Sequence, residues 1–151
     1  MSNQANAAAG LSLALLISGA IGTKILASDT FLWAAAPSHA EGLIGFVVLD
    51  VVLAFMVLRV LKLTETGAAI LSLVQFAAMA ADLTIYTPSG VPAQLFRNYL
   101  QGDVLFVVLL AIQPVIACIG IWARRWATPR GPKATVPSRG RLAALWISVP
   151  V

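Results

Sequence analysis

The chain has 151 residues, of which 60% are hydrophobic and 11% charged, and its mean hydropathy is +0.90. Soluble domains carry about 25% charged residues, so at this length a water-facing globule is excluded and lipid is the expected solvent. The formal net charge is +4, and six of the ten Lys and Arg residues (Arg124, Arg125, Arg130, Lys133, Arg139 and Arg141) fall near the C-terminus. In so apolar a chain this asymmetry reads as membrane topology, not as a nucleic-acid surface.

A hydrocarbon core of about 30 Å takes about 20 residues of helix. Four stretches meet that requirement, so the expected fold is all-α: an integral membrane bundle of four transmembrane helices in two antiparallel hairpins, over residues 1–123. The spans are expected at about 8–33 (the first from Ala8 to Ala27, with an extension to Trp33), 38–62, 66–86 and 103–123, followed by a basic, Pro-rich cytoplasmic tail at 124–151 with an apolar end, Leu142 to Val151.

The residues before the first span, MSNQANAAAG, lack Lys and Arg, so it reads as a retained span and not a signal peptide. Its small residues, including the Ser18/Gly22 pair, favour close approach of another helix. Lys24 near its far end is placed to snorkel to the interface.

Pro37 reads as the stop of this first unit. Ser38-His39-Ala40-Glu41 then fits a capping box, Ser as N-cap and Glu at N3. A helix starting at Ser38 puts Asp50 roughly 18 Å inside it, near the bilayer midplane. Arg59 and Lys62 close this span, and a short turn through Thr64 and Glu65 leads into the third. That span is rich in Ala, Gly and Ser, as a helix packed on several sides is; Gln75 lies mid-span and Asp82 near its exit.

The segment Thr87 to Pro92 is a turn-rich break. An amphipathic interfacial helix is expected from Pro92 to Leu100, with Leu95, Phe96 and Tyr99 set against Gln94, Arg97 and Asn98. The fourth span carries Gln113-Pro114, where a missing backbone donor predicts a kink. Cys118 is the only cysteine, so no intrachain disulfide can form. Within its apolar run it reads as a small buried hydrophobe.

With four spans both termini share a side, and Arg59, Lys62 and the six tail residues lie there. The positive-inside rule makes that side cytoplasmic, and the plasma membrane is the expected location. Trp33, Tyr86 and Tyr99 then fall at the outer interface, Trp122 and Trp126 at the inner one. Arg124, Arg125, Arg130 and Lys133 are the expected contacts to anionic lipid head groups, at about 1 kcal/mol each.

A faint internal repeat is also visible. Asp29 and Asp82 have the same separation as Asp50 and Asp103, and two spans per unit would make the halves parallel repeats.

Chemistry is expected from polar groups inside the spans: Asp50, Asp82, Lys24, Gln75 and Gln113. An ionisable group at this depth is costly and needs a partner. For Asp50 the candidates are Lys24, across the first two spans, or a proton-accepting pocket shared with Asp82. His39 is the only histidine. It and Glu41 point to different faces of a helix, so a metal or haem role for His39 requires a site shared with another subunit.

No catalytic or metal motif, no cofactor of the chain's own and no nucleic-acid partner is indicated. Lipid, quinone or carotenoid in the helix grooves remain open as ligands. The leading functional expectation is an accessory or structural subunit of a larger membrane complex, of the energy-converting, respiratory type, with other membrane subunits and anionic lipids as partners. The alternatives are a small proton or ion transporter using Asp50 and Asp82, and a homo-oligomeric lipid- or pigment-binding membrane protein.

Overall fold

The computed structural model describes residues 3–59, 63–86 and 88–127. They form six helices: α1 (Asn3–Ser28), α2 (Thr30–Ala35), α3 (Pro37–Leu58), α4 (Thr64–Thr84), α5 (Ala93–Gly102) and α6 (Val104–Ala127). Four stretches, Ala5–Ser28, Pro37–Leu58, Thr64–Thr84 and Val104–Arg125, are long and apolar enough to cross a membrane. Their outward faces carry exposed Leu13, Ile17, Val48, Phe55, Leu73 and Val108, among others. The expected α5 is present, with Phe96 and Leu100 buried. Lys62, Arg130, Lys133 and the apolar end of the tail lie outside the described residues.

Several helix boundaries differ from expectation, and three of the differences have a plain local reason. The first span does not continue to Trp33. It stops at Ser28, because Asp29 leaves the helical conformation (φ −96°, ψ 87°) and its Oδ1 accepts from the Leu32 amide at 2.8 Å, starting α2. A short acidic side chain next to free amides favours such a cap over helix continuation.

Pro37 is not a stop. It opens α3, where the missing N–H of proline falls among donors that have no helical partner anyway. Ser38 and Glu41 therefore form no capping box; Ala36 is the N-cap and makes no side-chain bond. On the C-terminal side of the α3–α4 turn, α4 starts at Thr64, placing Glu65 in the first turn, where the helix dipole favours an acid.

Asp103 precedes α6, accepting from the Leu105 amide at 2.9 Å through its side chain. Helix α6 then runs through Pro114 as one continuous helix.

Helix α1 packs extensively on α3 and on α6, and α4 packs on α6; the α3–α4 contact is looser. Glycines permit close approach at two helix contacts. A Cβ on Gly22 would lie 2.6 Å from Val47 Cγ2, and one on Gly120 would lie 2.8 Å from the Glu65 carbonyl oxygen. Cys118 is exposed, not buried. The inward face of α6 runs through Gln113, Ile116, Ala117, Gly120 and Ala123, and Cys118 falls off that stripe.

The buried apolar residues form two clusters. One includes Ile25, Ala40, Met79 and Leu109; the other includes Leu15, Ala54, Ala68 and Ile116. Their order alternates along the chain: α1 and α4 run from the second cluster to the first, α3 and α6 from the first to the second.

The order of elements also repeats, long-short-long in α1–α3 and again in α4–α6. The aspartates expected to mark that repeat are not equivalent, however. Asp50 is in the middle of α3, whereas Asp103 sits at the start of α6.

Candidate functional site

Between the two apolar clusters lies a polar layer, and each of the four long helices supplies one side chain to it. Gln113 Nε2 of α6 donates to Ser18 Oγ of α1 at 2.9 Å. The Ser18 hydroxyl in turn neighbours the Asp50 carboxyl group of α3. From the other side, Gln75 Nε2 of α4 lies 3.4 Å from Asp50 Oδ2 and donates to it.

All four side chains are nearly inaccessible: Gln113 is 0%, Ser18 1%, Asp50 1% and Gln75 3% exposed. Asp50 Oδ1, Gln75 Oε1, Gln113 Oε1 and the nearby Ser72 Oγ have no hydrogen-bond partner among the described residues. The layer thus brings together three of the expected polar residues, Asp50, Gln75 and Gln113. It adds Ser18, which sequence reasoning noted only as a small packing residue. Depth was the signal that could have found it, since Ser18, like the other three, lies far inside a span.

Lys24 is not part of this layer. It is exposed, more than a helical turn beyond Ser18, and no cationic side chain among the described residues pairs with Asp50. Asp82 is not there either. Its partner is His39, whose Nε2 lies 2.9 Å from Asp82 Oδ1. Among the described residues no three His, Cys, Asp or Glu side chains gather as a metal would require.

The His39–Asp82 pair forms the polar end of a cleft of about 310 Å³ between α3 and α4. The walls are apolar: Leu32, Leu43, Phe46, Ala78 and Met79. The imidazole is held from a second side by the Tyr86 ring, 3.9 Å away between centroids, and Tyr86 packs edge-on to Phe96 of α5 at 5.9 Å. Ser38 Oγ lies 3.4 Å from His39 Nδ1.

The same end of the molecule is tied by Tyr99, whose hydroxyl donates to Asp29 Oδ1 at 2.6 Å. Burial, followed by that hydrogen bond and then the charges of Asp29 and Asp103, pushes the Tyr99 hydroxyl well above its usual range.

Arg124 and Arg125 are exposed in the last turn of α6. Comparison with known protein families, curated proteins and solved structures finds no match for this chain.

Proposed function

We propose that the chain is a multi-pass plasma-membrane protein that crosses the bilayer four times as two antiparallel hairpins, with both termini and the basic tail 124–151 in the cytoplasm. The alternating order of the two apolar clusters along α1, α3, α4 and α6 supports the antiparallel arrangement. The weight of Lys and Arg on the tail side supports the orientation.

We further propose that it handles a proton or small cation at Asp50. One observation carries this reading: a carboxyl group 1% exposed, which accepts from Gln75 of α4 and lies beside the Ser18–Gln113 pair of α1 and α6, but is paired with no cationic side chain among the described residues. At bilayer depth a carboxylate needs a compensating charge, and a proton or a small ion supplies it. Asp82, paired with His39, stands outside this path. The test is flux in liposomes holding the purified chain alone. The wild type is expected to dissipate an imposed proton or alkali-cation gradient, and Asp50→Asn to stop it while helicity and thermal stability persist. Equal flux in Asp50→Asn removes the idea.

A second reading is an accessory subunit of a larger, respiratory-type membrane complex. It is favoured by Gly10 on α1 and Gly45 on α3, exposed positions where a Cβ would meet nothing within 4 Å, so a neighbouring helix could approach closely. Stoichiometric co-purification with other membrane polypeptides in mild detergent is the expected result. A free monomer with ion flux of its own decides for the first reading.

A further inference from the structure

The cleft between α3 and α4 has features that packing alone does not require. Its polar groups, Ser38, His39 and Asp82, all sit at one end, near the start of α3 and the end of α4. The apolar walls run inward from there along Leu43, Phe46 and Met79. Such a mostly apolar concavity with a few convergent polar groups is the usual form of a small-molecule site. The imidazole is fixed in direction before any ligand arrives, by Asp82 at 2.9 Å and by the Tyr86 ring.

We propose that this cleft binds the head group of a lipid-soluble quinone or quinol, with ring oxygens against Ser38, His39 and Asp82 and the tail running out between α3 and α4 into lipid.

Size and charge both favour this class. The cleft, about 310 Å³, is roughly twice the ~150 Å³ cavity that takes up benzene. It therefore has room for one substituted ring and the start of a tail, and not for a carotenoid along its whole length. No Lys or Arg is among the residues lining it, and Asp82 is. A phosphate head group would meet a carboxylate without a counter-charge, whereas a neutral ring with both donor and acceptor oxygens would not. The inference is independent of ion handling at Asp50 and needs only that the α3–α4 face meets lipid.

The experiment titrates the purified full chain in phosphatidylcholine nanodiscs with a short-tailed benzoquinone, following tryptophan fluorescence and unfolding temperature. Trp33, next to Leu32 of the cleft wall, is the nearest reporter in sequence. Saturable quenching with a raised unfolding temperature is expected. Gly42 also lines the cleft and a Cβ there meets nothing within 4 Å, so Gly42→Leu puts a side chain into the binding space; it is expected to weaken binding at least about tenfold. His39→Phe keeps a ring against Tyr86 but removes the hydrogen-bonding nitrogens, and the same loss is expected. If Gly42→Leu fails to fold, His39→Phe with intact helicity carries the test. Non-saturable uptake that is equal in all three proteins overturns the proposal. So does equal stabilisation by a ring-less decyl chain, which would make the occupant an acyl chain.

Discussion

Tyr99 and Asp29 are 70 residues apart in the chain, yet the phenol donates to the carboxylate at 2.6 Å. The bond joins the α1–α2 elbow to α5, and the Phe31 ring packs tilted against the Tyr99 ring at 4.2 Å between centroids. The same Asp29 oxygen accepts the Leu32 amide, so one carboxylate both starts α2 and anchors α5.

This pair makes stability depend on alkaline pH. Below about pH 10 the folded and the unfolded chain both hold the phenol proton. Above it the unfolded chain releases that proton while the folded chain keeps it, so stability falls as pH rises. Ultraviolet titration in detergent is expected to show a tyrosine that ionises later than a free phenol. Tyr99→Phe should remove that component, flatten stability above pH 10 and cost about 1 kcal/mol at neutral pH. An unchanged titration curve would show the bond to be absent in solution.

Gly120→Ala is expected to loosen α4 from α6. Its Cβ would meet the Glu65 carbonyl at 2.8 Å and Ala69 Cβ at 3.1 Å, and backbone cannot swing aside as a side-chain tip can. Overpacking of this kind costs about 1–3 kcal/mol. Gly10→Ala is the control: it faces open space and should be neutral or stabilising by up to about 1 kcal/mol through helix propensity. Unfolding by sodium dodecyl sulfate, followed by circular dichroism, measures both.

Ser18→Ala cuts the polar layer at its centre. It removes the acceptor for Gln113 and the hydroxyl beside Asp50. Interhelical hydrogen bonds in membranes contribute about 0.6 kcal/mol on average and up to about 1.7, so a loss of about 1–2 kcal/mol is expected. Adding Gln113→Leu should cost less than the two single losses together, because the amide left without an acceptor is then gone. Strict additivity would mean that the two side chains do not communicate.

The proposed orientation is open to cysteine mapping. In a Cys118→Ser background, Ser89→Cys is expected to react with a membrane-impermeant maleimide added to intact cells. Ser138→Cys should react only after permeabilisation. The reverse pattern would invert the topology.

The four long helices were legible because about 20 consecutive apolar residues admit little else. The elbow at Asp29 was not. Hydropathy carries on past it to Trp33, and only the carboxylate's bond to the Leu32 amide decides that a new helix begins. The Ser38–Glu41 pattern pointed one residue too far, because Pro37 accepts the first helical position that a stop signal would deny it. The depth of Asp50, Gln75 and Gln113 could be counted along the chain, but their partners could not. Pairing Asp50 with Gln75 and Ser18, and Asp82 with His39, depends on how each rod is turned about its own axis. A helix apolar on every side leaves that rotation unmarked in its sequence.

The position of the Asp50 layer, between two greasy clusters, bears on how the helices find their relative heights. Hydrocarbon tails are as oily as leucine, so sliding one rod along another changes little in the contact of oil with oil. A single level at which an amide, a hydroxyl, a carboxyl group and a second amide must meet works as a detent: a shift of one turn would strand all four. The residues that the membrane tolerates least are thus the ones that tell α1, α3, α4 and α6 how far to insert beside one another.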